Sequence, residues 1–343
     1  MGYNLFVEIN NIQRGKRVKM IKFGILGAGH IAHAMAGTIV QMKDVQMYAI
    51  ASRNLEKAET YKEQYGMEKA YGSYEELARD DNVDVIYIAT PHSLHYEHAK
   101  MCLEYGKHVL CEKAFTANAK QAKELIAISE AKGLFLGEAM WTRFMPLTKK
   151  LVKLLDQKVI GDVTFMTANL NFPMMHKERL MKPELAGGAL LDVGIYPLTM
   201  ASIVMGDEIE DISATAILTD KGMDKMGQYT IRYKNGTMAD LNSGMCSFGD
   251  GSAVIYGSLG HILVEGVNCI QGIKVYDGNW NIIQDIRQEG QISGYEYEVE
   301  ACVKAVEKGK TECPEMTHAQ TIKMMKVMDE IREKMGVKYP FEN

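Results

Sequence analysis

Residues Phe23 to Ala32 read FGILGAGHIA: a short apolar run, then Gly27-Ala28-Gly29-His30-Ile31-Ala32, then a helix-like stretch. This is the G-x-G-x-x-A form of the turn that opens a dinucleotide-binding fold. Gly27 allows the tight turn, Gly29 lets backbone approach a pyrophosphate, and the small Ala32 lets helix pack on strand. The N–H groups at His30 and Ile31, at the positive end of the helix dipole, would hold the phosphates. A glycine motif alone also fits an ordinary strand–helix turn. Here a strand precedes it and a second strand follows about one βαβ unit later, which is the context the nucleotide reading requires.

That second strand, Val45–Ala51, ends in Ser52-Arg53-Asn54. Sites that prefer NAD usually place an acid here to bind the ribose 2′-hydroxyl, and this chain has none. A hydroxyl and a guanidinium suit a 2′-phosphate, with Lys57 adding charge four residues later. The turn therefore favours NADP(H) over NAD(H), although arginine also accommodates NAD and could simply cap a surface turn.

With 343 residues the chain is long enough for two domains. Its net charge of −5 offers no basic field for nucleic acid. No apolar run was expected to reach the ~20 residues that span a bilayer. Six scattered cysteines lack C-x-x-C or zinc spacing, which points to a reducing cytoplasm and no metal. Residues 1–19 carry four basic residues against one acid and read as an N-terminal extension before a start at Met20.

From Met20 to Trp141, buried strands alternate with amphipathic helices, the signature of a doubly wound parallel sheet of Rossmann type, residues 20–141. Strands read at Lys22–Leu26, Val45–Ala51, Val83–Ala89, His108–Cys111 and Leu134–Glu138. After Trp141 a helix, Pro146–Asp156, gives way to alternating runs with hairpin turns at Asn235-Gly236 and Asp277-Gly278. Residues 142–343 thus read as an α+β domain with an open, mostly antiparallel sheet and a closing helix, Thr317–Met335. An open sheet face invites a homodimer.

Ligands of such folds bind at the carboxyl ends of the strands. Thr90, Pro91, His92 and His95 follow one strand there, and Glu112 and Lys113 follow another. Lys113 could stabilise charge on a reacting oxygen, or could be a solvated surface lysine. A third segment, Gly187 to Pro197, starts from a Gly-Gly turn expected to be flexible and enters a helix. Asp192 and Tyr196 are four apart and would share a face, with Pro197 pointing to a kink. A lysine cation beside Tyr196 would favour its phenolate and make an acid/base couple. A core tyrosine beside a capping aspartate fits the spacing equally well.

The segments Gly27–Ala32, Thr90–His95, Cys111–Ala114, Glu138–Phe144 and Gly187–Tyr196 occur in one order and spacing. Together they resemble the glucose–fructose oxidoreductase/inositol dehydrogenase family, most of all its branch of dimeric dihydrodiol dehydrogenases and NADP-dependent D-xylose dehydrogenases. The resemblance implies hydride transfer between nicotinamide and a hydroxyl of a carbohydrate, polyol or cyclic diol. It implies catalytic roles for Lys113, Tyr196 and Asp192, and places Trp141 and Arg143 along the cofactor and substrate cleft. Ala114 departs from the family's usual proline. Lys113, Trp141, Phe172, His176, Asp192 and Tyr196 are the expected substrate contacts, with Arg179, Trp280 and Tyr295 as further candidates. A regulatory protein that senses nicotinamide without turnover is the alternative, and the intact Lys113, Asp192 and Tyr196 argue against it.

Overall fold

The first strand, β1 (Ile21–Leu26), is buried on both faces and pairs in parallel with β2 (Val45–Ala51) and β4 (Val85–Ile88). The computed structural model describes residues 20–342, so the reading of residues 1–19 lies outside the described residues. With β3 (Lys69–Tyr71), β5 (His108–Glu112) and β6 (Leu136–Ala139) they form a six-stranded sheet of order β3-β2-β1-β4-β5-β6. All its pairings are parallel. The order reverses beside β1, so the carboxyl ends of β1 and β4 flank the crevice where such sheets bind ligands.

Five helices cross over between these strands: α1 (His30–Ile39), α2 (Leu55–Tyr65), α3 (Tyr74–Arg79), α4 (His95–Glu104) and α5 (Ala119–Lys132). Their ends follow from local chemistry. Asn54 caps α2 by accepting from Lys57 N, Ser73 and Glu76 form a capping box on α3, and Gly66 and Gly133 end α2 and α5 in the left-handed region.

Beyond β6 come α6 (Trp141–Phe144), α7 (Pro146–Asp156) and β7 (Val163–Asn171), then α8 (Ile195–Met205) and β8 (Ile209–Leu218). The remaining strands are β9 (Asp224–Tyr233), β10 (Met238–Gly244), β11 (Ser252–Gly257), β12 (Gly260–Glu265), β13 (Gly272–Asp277) and β14 (Ile282–Arg287). They build an eight-stranded sheet, β14-β13-β12-β11-β7-β10-β9-β8, antiparallel except where β10 meets β7. Met166, Ala168 and Leu170 of β7 are buried, whereas Phe165, Thr167 and Asn169 between them are half-buried, so one face carries the core. The chain closes with α9 (Glu296–Glu307) and α10 (His318–Met335), and α10 packs on both α5 and β8, bridging the two sheets.

Three elements escaped the sequence reading: the single-turn α6, β14 and α9. β14 is an edge strand with no buried residue, so it shows no apolar alternation. The apolar set of α9, Val299, Cys302 and Val303, has helical spacing but follows a polar loop with no capping side chain. A further expectation is corrected: Pro183–Met205 is long and apolar enough to cross a membrane, with an 18-residue window of mean hydropathy 1.5, yet 83% of that window is buried inside the protein. It is a core segment running behind the site.

Candidate active site

The glycine turn closes onto the neighbouring strand. Gly27 has φ +106°, donates its N–H to Ala51 O at 3.0 Å, and would place a Cβ 2.8 Å from Ala89 O. Only glycine meets both conditions. Gly29 then caps α1 with extended backbone and no side-chain partner, leaving the first N–H groups of the helix for an anion. Ala32 is fully buried against the sheet.

Beside this turn lies a pocket of about 590 Å³, lined by Gly27, Gly29, Ser52, Arg53, Lys57 and Thr90 among others. Ser52 is buried and its Oγ accepts from Asn54 N at 3.2 Å, while Arg53 and Lys57 are exposed. Among the described residues neither cation makes an ion pair, so both charges are available to a ligand.

A second cleft of about 800 Å³ continues from the first across the shared residues Gly29, Ala89, Thr90 and Pro91. His30, Ile31, His92, Glu112, Lys113, Trp141, Phe172, His176, Arg179, Asp192, Tyr196 and Tyr295 all line it. Residues from Gly29 at the turn to Tyr295 before α9 are thereby brought to one place.

At its floor, Lys113 Nζ donates to the backbone carbonyl of Asp192 at 2.7 Å and lies 3.6 Å from Asp192 Oδ1. Arg179 Nη2 donates to the same Oδ1 at 2.8 Å. Burial alone would raise the Asp192 carboxyl, but Lys113, Arg179 and His92 hold it well below the usual carboxylate range. Asp192 is therefore ionised, and the described residues give its Oδ2 no hydrogen bond.

Tyr196 differs from the sequence expectation. Its phenol is pushed well above its ordinary value by burial, reinforced by the charges of Glu112 and Asp192. The Lys113 ammonium sits over the ring, 5.1 Å from its centroid, and its short hydrogen bond goes to the Asp192 backbone carbonyl and not to the phenol. The phenol is thus held neutral and suited to donate a proton. Glu112 is buried, accepts from Tyr87 Oη and from Lys113 N, and is raised by burial against the opposing field of Lys113.

Local backbone explains the placement of Asp192 and Tyr196. Pro197 has no N–H to offer Val193 O, and the turn just upstream, Leu190–Gly194, is wound as a π-helix before α8 begins. The Gly187-Gly188 turn expected to be flexible is tightly packed: a Cβ on Gly187 would collide with Leu180 O, and one on Gly188 with Asp224 Oδ1. Asp224 Oδ2 in turn accepts from Leu190 N at 2.7 Å, pinning the start of the π-turn.

One wall is aromatic. Trp141 and Tyr295 stack with ring centroids 4.4 Å apart and an interplanar angle of 10°. Glu296 builds the loop that carries Tyr295, its carboxylate accepting from Ile292 N at 2.7 Å and from Ser293 N and Gly294 N at 3.0 and 2.7 Å.

Three sequence candidates fall outside the cleft. His95 is fully buried with its two ring nitrogens against Thr90 O and Ala114 O, so it braces the loops and does not line the cleft. Arg143 lies below, donating to Ser202 Oγ at 2.8 Å. Trp280 is 74% exposed in the hairpin after β13, where it packs on His261. Conversely Leu170, Met174 and Lys177 line the cleft without having been foreseen. Only Leu170 lies on a regular strand; the other two sit in an aperiodic loop with no pattern to read.

Comparison with known proteins agrees with this fold. Residues 21–139 match the oxidoreductase family with the NAD-binding Rossmann fold, and residues 148–263 match the GFO/IDH/MocA C-terminal domain. The chain is 35% identical to trans-1,2-dihydrobenzene-1,2-diol dehydrogenase of Xenopus tropicalis over 327 residues, covering 93% of this chain and 99% of that protein. It is 30% identical to the NADP(+)-dependent scyllo-inositol 2-dehydrogenase IolU of Bacillus subtilis, covering 94% and 99%. In structure it resembles KijD10, a 3-ketoreductase of Actinomadura kijaniata crystallised with NADP and TDP-benzene, with a TM-score of 0.85, 25% identity and coverage of 92% and 98%.

Proposed function

The chain belongs to the GFO/IDH/MocA oxidoreductase family, with its NAD-binding Rossmann fold, and from that premise we propose an NADP(H)-dependent dehydrogenase acting on a secondary hydroxyl of a sugar, polyol or cyclic trans-diol. One observation carries this reading: Lys113, Asp192 and Tyr196 meet in a cleft continuous with the glycine-turn pocket. The residues of that pocket fit the cofactor. The free N–H groups of α1 and the cradle that a Cβ on Gly27 would fill suit a pyrophosphate, and Ser52, Arg53 and Lys57 suit a 2′-phosphate.

A nicotinamide cofactor held in that pocket would supply or accept the hydride. Tyr196, held neutral, gives its proton to a carbonyl oxygen in the reducing direction and takes it back in the oxidising one. Lys113 stabilises negative charge developing on that oxygen. Asp192 Oδ2 accepts from a neighbouring substrate hydroxyl, which favours vicinal diols. Trp141, Tyr295 and Phe172 cover the apolar face of the substrate and exclude water.

Residues 20–141 serve as the cofactor domain and residues 142–343 as the substrate domain. The outer face of the eight-stranded sheet serves as a homodimer surface. Its support is an aromatic row from Phe165 through Tyr256 to His261, which meets both Tyr276 and Trp280, with neighbouring rings 4.4 to 6.2 Å apart. The six free cysteines fit a reducing cytoplasm.

The test is nicotinamide absorbance with purified protein, NADP⁺ or NAD⁺, and a panel of aldoses, inositols and trans-diols. Turnover with NADP⁺ is expected. Turnover with NAD⁺ alone would overturn the role given to Arg53.

A further inference from the structure

Groups from three separate segments converge on one buried carboxylate oxygen. Asp192 is 6% exposed, and its Oδ1 lies 2.8 Å from Arg179 Nη2, 3.6 Å from Lys113 Nζ and 3.8 Å from His92 Nε2. Glu112 and Tyr196 are the other titratable groups within its field. Burial lowers His92 to about 3, so the ring is neutral and only two cations compete for the oxygen. Arg179 is the closer. Lys113 makes its short contact instead with the Asp192 backbone carbonyl, at 2.7 Å.

We infer that Arg179 is a positioning residue: by occupying Asp192 Oδ1 it keeps the Lys113 ammonium off that carboxylate and free for the reacting oxygen. An ammonium has three N–H donors, and here one is spent on a carbonyl. In a site shielded from water, an unpaired carboxylate 3.6 Å away would draw the ammonium onto itself, because the attraction grows as separation and dielectric fall. Lys113 would then be held at two points with its charge cancelled. A guanidinium prevents this well, since it stays protonated at any working pH and presents its donors in a fixed plane.

Arg179 can respond to substrate in a way Lys113 cannot. Its side chain is 38% exposed and sits on the short turn Glu178–Met181, in the loop that also brings Phe172 and Met174 to the cleft. Movement of that loop therefore changes how the Asp192 charge is shared. The inference rests on the proposed dehydrogenase reading only in giving Lys113 a substrate oxygen to face.

The test is Arg179→Met beside Arg179→Lys, each crystallised and each assayed. In Arg179→Met, Lys113 Nζ is expected to close on Asp192 Oδ1 to about 2.8 Å. Turnover is expected to fall 10-fold or more with NADPH affinity unchanged, and the acid limb of the turnover profile to move to higher pH as Asp192 loses a cation. Arg179→Lys should restore most of the rate. An unmoved Lys113 with turnover within twofold of wild type would overturn the inference. The crystallographic shift in a protein whose wild type turns over nothing on the panel would uphold the positioning role and sink the dehydrogenase reading instead.

Discussion

Lys113 Nζ lies over the ring face of Tyr196, 5.1 Å from its centroid, while its hydrogen bond goes to the backbone of Asp192. The pair is therefore not a lysine lowering a phenol by direct contact. Lysine and tyrosine approach the same cleft separately, one anchored through a backbone carbonyl, the other neutral and buried. The division of labour between charge stabilisation and proton transfer follows from that geometry.

A neutral Tyr196 gives the two directions different pH dependence. Burial holds the phenol protonated far above neutral pH, so reduction, which needs the acid form, should not lose rate on the alkaline side up to about pH 10. Oxidation needs the base form and should rise with pH over the same range. Tyr196→Phe should lower turnover about 100-fold or more in both directions and leave NADPH affinity intact. Steady-state kinetics with fluorescence titration checks this, and near-normal turnover would remove Tyr196 from the mechanism.

Arg53 is expected to select the 2′-phosphate. Arg53→Ala should weaken NADPH binding about 10- to 100-fold, the range of one charge-assisted hydrogen bond, and hardly change NADH binding. Equal losses for the two cofactors would assign Arg53 to adenine or to the turn itself.

Glu138 makes stability depend on pH from outside the cleft. Its carboxyl is buried, accepts from Phe115 N at 3.2 Å and Thr321 Oγ1 at 2.9 Å, and is pushed up to about 7 by burial. An acid raised on folding binds its proton more tightly in the folded state. Its contribution is full below about pH 4.5 and is lost as pH rises through about 7. The shift corresponds to about 3 kcal/mol. Glu138→Gln should flatten the fall of Tm between pH 5 and pH 8, as followed by thermal denaturation. An unchanged slope would show that the Glu138 proton is not the source.

The aromatic row on the outer sheet face predicts a dimer. His261 and Tyr276 stack at 4.4 Å with an interplanar angle of 4°, in register across β12 and β13. A buried charge there is costly, so His261→Glu should yield monomers in sedimentation velocity while circular dichroism stays native. A monomeric wild type, or a dimeric variant, would exclude this face as the interface.

The glycine turn, the absence of an acid after β2 and the strand–helix alternation were legible because each is set by neighbours in the chain. Gly27 needs a positive φ, α2 needs a cap at Asn54, and β1 must be apolar on both faces. Sequence alone also placed Lys113, Asp192 and Tyr196 among the candidates. Which of their charges cancel was decided only by tertiary structure. Arg179, Lys113 and His92 come from distant segments, and their field at Asp192 depends on distances of 2.8 to 3.8 Å that no spacing encodes. The same holds for His95 and Arg143, whose motif positions point to the cleft while burial and hydrogen bonding turn them to bracing roles. Local rules determine the backbone of this protein; the protonation of Tyr196 and the freedom of Lys113 are collective properties of a packed, water-poor site.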